Sequence, residues 1–475
     1  MVRHRRYRLP LIVVVVAVLL SGALLGSAHL VRTRTDTRPA GTMPTAAFPA
    51  SAVLALDRRA PAPSAVALRT ALAPFVRAPA LGHSLVGAVV DVSGRRTAYA
   101  LNAEAAVPPA STTKLVTAAA ALRFLRADDA FRTRVAIGTT PRTSSTVVLI
   151  GGGDPTLAGP NAALPAYPPV AHLTDLVRRT AAALRGRRVS AVRLVVDDYL
   201  FTGPRTAPGW KPTYLTDGDV SPVTALSVDA GRLRPDNNPK TPDDRALDPA
   251  LTAGRDFAAL LTRQHIRVTA AVRRAHLSTP TASLASVSSP PLTALITRML
   301  QNSDNDIAES LFRHIAIARH QPATFTGGSI AVQQYLLGLP VDTRADELVD
   351  GSGLSLRDRL SPHALTTVLA GAAGRSNPAL RPMVAALPVA GVSGTLSSRY
   401  RQPPRKVLPT TGAGLVRAKT GTLTGVSALA GVVVDTDGRL LAFAFVADAV
   451  PLGGLTAAER ALDAIAARLS TCGCG

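Results

Sequence analysis

The chain has 475 residues, 47% hydrophobic and 18% charged, with a mean hydropathy of +0.21. That is too apolar for a disordered chain and too long for one small domain, so roughly two or three domains are expected. The net charge is +22, yet only five of the 53 basic residues are lysines (Lys114, Lys211, Lys240, Lys406, Lys419), and the two cysteines, Cys472 and Cys474, lie in the last four residues, which excludes a disulfide framework and a cysteine-rich zinc module.

At the N-terminus, Arg3, His4, Arg5, Arg6 and Arg8 precede an uncharged run from Leu9 to Ala28. A basic flank before an apolar run is an export signature, and the run is about long enough to cross a bilayer with its positive end inside. Gly26-Ser27-Ala28 could serve as a cleavage site, so residues 1–30 read as a signal peptide or a membrane anchor. Residues 31–63, rich in Thr, Ala, Pro and Arg, read as a linker. The protein is therefore expected to work outside the cytoplasm. There the positive charge suits anionic surfaces. Nucleic acid is not expected, because the arginines are scattered and no aromatic residues alternate with them as stacking platforms.

Ser84–Val92 has strand composition, and Thr97–Leu101 can pair back across the turn Ser93-Gly94-Arg95. After Pro108-Pro109, a helix is expected from Ser111 to about Leu125, with Ser or Thr as its N-cap. From about Ala130 to Pro290 the texture changes. Short strands (Thr146–Ile150, Val192–Val196) alternate with Gly and Pro turns and one helix near Leu173–Leu184. Pro291 to about Ile317 reads as helical. Val426–Val434 and Leu440–Val446 flank Asp435-Thr436-Asp437-Gly438 as a hairpin, and Leu455–Leu469 reads as a closing helix. The expected domain is α+β, built from residues 64–128 and 291–470 and interrupted by an insertion over 129–290.

Three short motifs carry the chemistry. Ser111-Thr112-Thr113-Lys114 places a hydroxyl and an amine on one helix face, where a lysine of lowered pKa can take the serine proton. Ser303-Asp304-Asn305 offers a second hydroxyl and an amide. Lys419-Thr420-Gly421-Thr422, just before the C-terminal hairpin, offers a cation and hydroxyls suited to a carboxylate, with a glycine that admits close backbone approach. Ser-x-x-Lys and Ser-Asp-Asn are weak signals alone, whereas Lys-Thr-Gly is expected by composition in only about a few per hundred such chains. Their order, and the use of two of the five lysines, make the set specific.

This set resembles that of the penicillin-binding proteins and serine β-lactamases. Within that superfamily the chain is most similar to the D-alanyl-D-alanine carboxypeptidase/endopeptidase family, the type-4 or class C low-molecular-mass penicillin-binding proteins. Gly152-Gly153-Asp154-Pro155-Thr156-Leu157, Pro208-Gly209-Trp210, Asp350-Gly351-Ser352-Gly353-Leu354-Ser355 and Leu387-Pro388-Val389-Ala390-Gly391 add to the resemblance, which spans about Ser84 to Leu469. It implies a β-lactamase/transpeptidase-like domain, an antiparallel sheet flanked by helices, around a large insertion.

The resemblance also implies roles. Ser111 is the acylated nucleophile, Lys114 its base, and Ser303 the relay to the leaving amine. Asn305 holds the peptide. Lys419, Thr420 and Thr422 bind the terminal carboxylate, Gly421 lies between them, and the backbone N–H groups of Ser111 and Thr422 form the oxyanion hole. Lys419 also helps keep Lys114 neutral by repulsion. Peptidoglycan stem peptides are the implied substrate and β-lactams the covalent inhibitors; no cofactor or metal is implied. Some members carry an acidic residue after Pro-Gly-Trp and an Arg after Gly-Leu-Ser, which recognise diaminopimelate. Here Lys211 follows Trp210, and Leu356 follows Ser355 with Arg357 next. Two alternatives stay open: a serine β-lactamase, although Glu-x-x-Leu-Asn is missing, and a non-catalytic wall-binding or β-lactam-sensing module.

Other residues read more plainly. Gly151-Gly152-Gly153 and Asp154 are turn formers, His314 and His320 lack metal-ligand spacing, Ser352 sits in a turn, and Glu309 serves packing or helix polarity. The cysteines are either oxidised or inert.

Overall fold

A computed structural model describes residues 60–138, 145–160, 169–235, 244–276, 282–400 and 410–475, which all belong to one compact unit. The expected anchor over 1–30, and nearly all of the linker, lie outside these residues. Among the described residues no helix is long and apolar enough to cross a membrane.

In chain order come helix α1 (Ala65–Val76), strands β1 (Leu85–Asp91) and β2 (Arg96–Leu101), helix α2 (Thr113–Phe124), strands β3 (Arg132–Gly138) and β4 (Ser145–Ile150), helix α3 (Leu173–Gly186), strand β5 (Ala191–Asp197) and helix α4 (Pro249–Arg263). Short strands β6 (Arg267–Val268) and β7 (Arg273–Arg274) lead to β8 (Ala282–Ser288), then helices α5 (Leu292–Asn302), α6 (Asn305–Ala318), α7 (Phe325–Leu337) and α8 (Pro362–Ala373). Strands β9 (Arg417–Leu423), β10 (Val426–Val434) and β11 (Leu440–Ala447) and helix α9 (Leu455–Ser470) close the fold.

The two ends of the chain build one antiparallel sheet in the order β2-β1-β11-β10-β9. Strands β10 and β11 are buried almost throughout, as unbroken apolar runs covered on both faces should be. Leu68 and Leu72 of α1 and Leu462, Ile465 and Leu469 of α9 pack with Phe443 and Phe445 in one core cluster, while α8 packs against β1 and β11. All strands of a second, mixed sheet fall between Arg132 and Ser288, in the order β6-β5-β4-β3-β8, with β7 also beside β5. Helices α3 and α4 share its core cluster. The fold is α+β, with helices flanking both sheets.

Two expectations need correction. Among the described residues, the segment read as carrying one helix holds a second long one besides a single turn at Thr213–Thr216: Asp248 caps α4 by accepting from Leu251 N–H (3.1 Å), Pro249 starts it, and Ala250, Ala253, Gly254, Phe257 and Leu261 form its buried stripe. Helix α2 has no hydroxyl cap. It emerges from a 3-10 turn, Ala110–Thr112, and Thr112 Oγ1 donates instead to Pro109 O (2.6 Å). The stretch from Pro291 to about Ile317 is helical as expected, in two helices that meet at Ser303, whose φ is +56°. The cysteines are paired with each other as Cys472–Cys474.

Candidate active site

Two turns and a strand edge bring the three motifs together. Ala110 has φ +49°, an unusual backbone for a residue with a side chain, and it delivers Ser111 at the head of α2. Lys114, one turn later, donates to Ser111 Oγ (2.9 Å). The Ser303-Asp304-Asn305 motif is the joint between two helices. Ser303 ends α5 in the left-handed region, Asp304 caps α6 by accepting from Ile307 N–H (3.0 Å), and Asn305 is its first residue. Asn305 Oδ1 accepts from Lys114 Nζ (2.7 Å), and its Nδ2 donates to Asp219 O (2.8 Å). On β9, Lys419 donates to Ser303 Oγ (2.9 Å) and to Thr420 O (2.7 Å).

Five of the expected residues thus form a group of three and a pair: Lys114 joins Ser111 and Asn305, and Lys419 joins Ser303. Ser111, Ser303 and Asn305 are half-buried and Thr422 is exposed, whereas both lysines are 0% exposed. Thr420 Oγ1 donates to Thr395 Oγ1 (2.9 Å) and Thr422 Oγ1 to Glu459 Oε1 (3.1 Å). Gly421 is required by the protein's own backbone: a Cβ there would lie 2.9 Å from Pro109 O and 3.1 Å from Ala110 Cβ, so β9 can lie against the turn that carries Ser111 only because residue 421 is glycine.

Burial sets the electrostatics. It pushes Lys114 down to about 8, against the opposing fields of Asp350, Glu309, Asp304 and Asp358. Lys419 is pushed well below the ordinary lysine value, first by burial and then by repulsion from Lys114 and Arg399. Two amines so close and so buried cannot both hold a proton comfortably, and neutral forms become accessible near physiological pH.

Several groups at the site escaped the sequence reading. Ser352 O accepts from Lys114 Nζ (2.6 Å), so the segment read as a plain turn touches the amine. Glu309, read as packing or helix polarity, accepts from Gly351 N–H (3.1 Å) and Ser352 N–H (2.8 Å). Asp350 accepts from Gly353 N–H (2.7 Å), Ser355 N–H (2.8 Å) and Trp210 Nε1–H (2.7 Å). Glycine-rich runs around an acid were the available signal, but nothing local pointed to Glu309.

The other candidates are structural. Asp154 accepts from Thr156 N–H (2.8 Å) and Thr156 Oγ1–H (2.7 Å), a turn as expected. His314 stacks on Phe131 (ring centroids 3.6 Å apart), and burial pushes it down to about 4, so it packs as a neutral ring.

Comparison with known proteins bears on the family. The model of the D-Ala-D-Ala carboxypeptidase 3 (S13) family matches residues 68–247 and 231–469. Carboxypeptidase DacB of Mycolicibacterium smegmatis is 38% identical over 476 residues, covering 99% of this chain and 98% of that protein. The D-alanyl-D-alanine carboxypeptidase of Actinomadura sp. (strain R39) is 29% identical, covering 78% of this chain and 79% of that protein. Among solved structures, penicillin binding protein 4 (dacB) from Haemophilus influenzae superposes with a TM-score of 0.64 at 23% identity, covering 83% of this chain and 98% of that one, which shows a shared fold. With a family model matching most of its length and a relative 38% identical over nearly the whole chain, the chain belongs to the D-Ala-D-Ala carboxypeptidase 3 (S13) family of peptidases.

Proposed function

We propose that the chain is a serine-type D-Ala-D-Ala carboxypeptidase that trims peptidoglycan stem peptides through an acyl-enzyme on Ser111. The observation that carries this reading is the pair of fully buried lysines, one donating to Ser111 and the other to Ser303. Neutral Lys114 takes the Ser111 proton as Oγ bonds to the carbonyl carbon of the penultimate D-Ala. The backbone N–H groups of Ser111 and Thr422 stabilise the oxyanion. The C–N bond to the terminal D-Ala then breaks, and the proton from Lys114 reaches the departing amine through Ser303. Water attacks the ester carbon and gives up a proton through Lys114. The peptide leaves with a free carboxylate, and Ser111 regains its proton.

Substrate binding fits the same groups. Lys419 takes the terminal carboxylate, with the Thr420 and Thr422 hydroxyls beside it. That anion favours the ammonium form of Lys419, whose charge in turn disfavours a proton on Lys114. The second Nδ2 hydrogen of Asn305 is available to a peptide carbonyl, since Asp219 O uses only one. A β-lactam, with its carboxylate and strained amide, would acylate Ser111 in the same pose. Lys211, which donates to Thr424 Oγ1 (2.8 Å), stands where some relatives carry an acid for diaminopimelate. We further propose the division into 64–128 with 291–470 and an insert over 129–290, and an N-terminal segment that exports the protein as a signal or anchors it to the membrane.

The test is labelling with a fluorescent penicillin, alongside release of D-Ala from a pentapeptide ending in D-Ala-D-Ala. One label per chain on Ser111 and measurable D-Ala release are expected. An unlabelled folded protein, or full labelling of Ser111→Ala, would sink the reading. Rapid turnover of nitrocefin would favour a β-lactamase, and labelling without D-Ala release a sensing module. Cleavage of cross-linked peptide dimers in the same assay measures endopeptidase activity.

A further inference from the structure

We propose that Glu309 and Asp350 are positioning residues for the base: they clamp the 350–355 loop so that the Ser352 carbonyl and Asn305 occupy both hydrogens of neutral Lys114 and aim its lone pair at Ser111. This rests on the reading of Lys114 as the base.

A neutral amine has two hydrogens and one lone pair. Lys114 Nζ has three polar neighbours, Ser352 O at 2.6 Å, Asn305 Oδ1 at 2.7 Å and Ser111 Oγ at 2.9 Å. The first two can only accept, while the serine hydroxyl can donate. One arrangement therefore satisfies all three groups, and in it the lone pair meets the Ser111 proton. If either acceptor moves away, a second orientation opens in which the lone pair points elsewhere.

Each acceptor is held from behind. Asn305 is fixed by its bond to Asp219 O. The Ser352 carbonyl is held by its own loop. Glu309 of α6 takes the N–H groups of Gly351 and Ser352, Asp350 takes those of Gly353 and Ser355, and Thr117 of α2 donates to Gly351 O (2.7 Å). Gly353 turns at φ +81° with no room for a Cβ, which would sit 2.0 Å from Ala110 O. Both carboxylates are 0% exposed, a costly placement that this loop's backbone donors help to offset. The titratable groups facing Lys114 are Glu309 and Asp304 from α6 and its cap, Asp350 from the loop, Asp358 just after it, and Lys419 from β9, with Arg313 facing Glu309; burial and then Asp350 push Glu309 up to about 8 and Asp358 well above the usual carboxylate range.

The test is the rate constant of penicillin acylation against pH in the wild type, Glu309→Gln and Asp350→Asn. An amide at either position turns an NH2 towards a backbone N–H, so the clamp loosens. In the variants the plateau rate should fall about ten- to hundredfold, as for a slightly misplaced base. The acidic limb should move to lower pH, because an acceptor and an acid that favour the ammonium are weakened. With peptide substrate, kcat should fall while KM stays near the wild-type value. A purely structural role would leave the pH limb in place. Emission from Trp210, the one tryptophan in the chain, reports whether the loop's surroundings stay folded.

A folded variant with wild-type plateau and limb overturns the clamp. Should both amide variants fail to fold, Thr117→Val decides, with severalfold slower acylation expected and wild-type acylation overturning the proposal. A wild type that is never labelled on Ser111 overturns the proposed function as well, whereas a labelled wild type matched by its variants overturns the clamp alone.

Discussion

The chemistry depends on where single residues are buried. Lys114 is an ordinary lysine by sequence, and its enclosure is what suits it to the proposed role of base: burial pushes it down to about 8, so the ammonium dominates below that pH. Acylation by penicillin should therefore rise roughly tenfold per pH unit up to about 8 and then level off. Stopped-flow acylation across pH measures this, and a flat profile from pH 6 to 9, about two units below to one above, would remove Lys114 from the role. The residues expected at the site were legible because each sits in a short motif and lysine is rare in this chain. Glu309 was not legible. Its partners, Gly351 and Ser352, are remote in sequence, and an acid on a helix looks the same from sequence whether it faces solvent or a buried loop.

Among elements, the hairpins were readable because their signals are local: strand-forming, mostly apolar runs on both sides of Ser93-Gly94-Arg95 or Asp435-Thr436-Asp437-Gly438. The joint at Ser303 falls in the Ser-Asp-Asn motif, whose Asp304 starts α6 as its N-cap, while the +56° φ of Ser303 itself leaves no mark in composition. Helix α4 did leave a mark, Asp248-Pro249, which the turn-rich surroundings obscured. Two glycines separate the effect of conformation from that of space. Gly438, at φ +82° in the tip between β10 and β11, has nothing within 4 Å of a Cβ, while Gly353, at φ +81°, has Ala110 O at 2.0 Å. Gly438→Ala should cost about 1–2 kcal/mol, the left-handed penalty alone. Gly353→Ala should cost more, and it should also slow acylation, because it displaces the turn before Ser111. Thermal unfolding paired with penicillin labelling separates the two, and equal effects would show that the contact with Ala110 does not matter.

At the scale of the molecule, the strands of the second sheet all lie in the stretch after Ala130 where the texture changes, but the sequence did not reveal how tightly that region is fastened to the site. Helix α6 is the seam. Arg313, 0% exposed, donates to Thr202 O (3.0 Å), Pro204 O (2.8 Å) and Ala323 O (2.8 Å), and lies over the Phe325 ring, which meets Trp210 edge to face. Arg313→Met would keep most of the volume and leave three carbonyls without this donor. A loss of about 3 kcal/mol is expected in chemical denaturation, and a loss under about 1 kcal/mol would mean that the seam is held elsewhere. The bond from Asn305 to Asp219 O has a consequence for protein engineering. An attempt to miniaturise the enzyme by excising the second sheet would also remove the anchor of a catalytic-cleft amide. Freed of Asp219, the Asn305 carboxamide could flip and offer its NH2 to Lys114. The excised region behaves as a scaffold strut, and any minimal version would need a substitute acceptor engineered in its place.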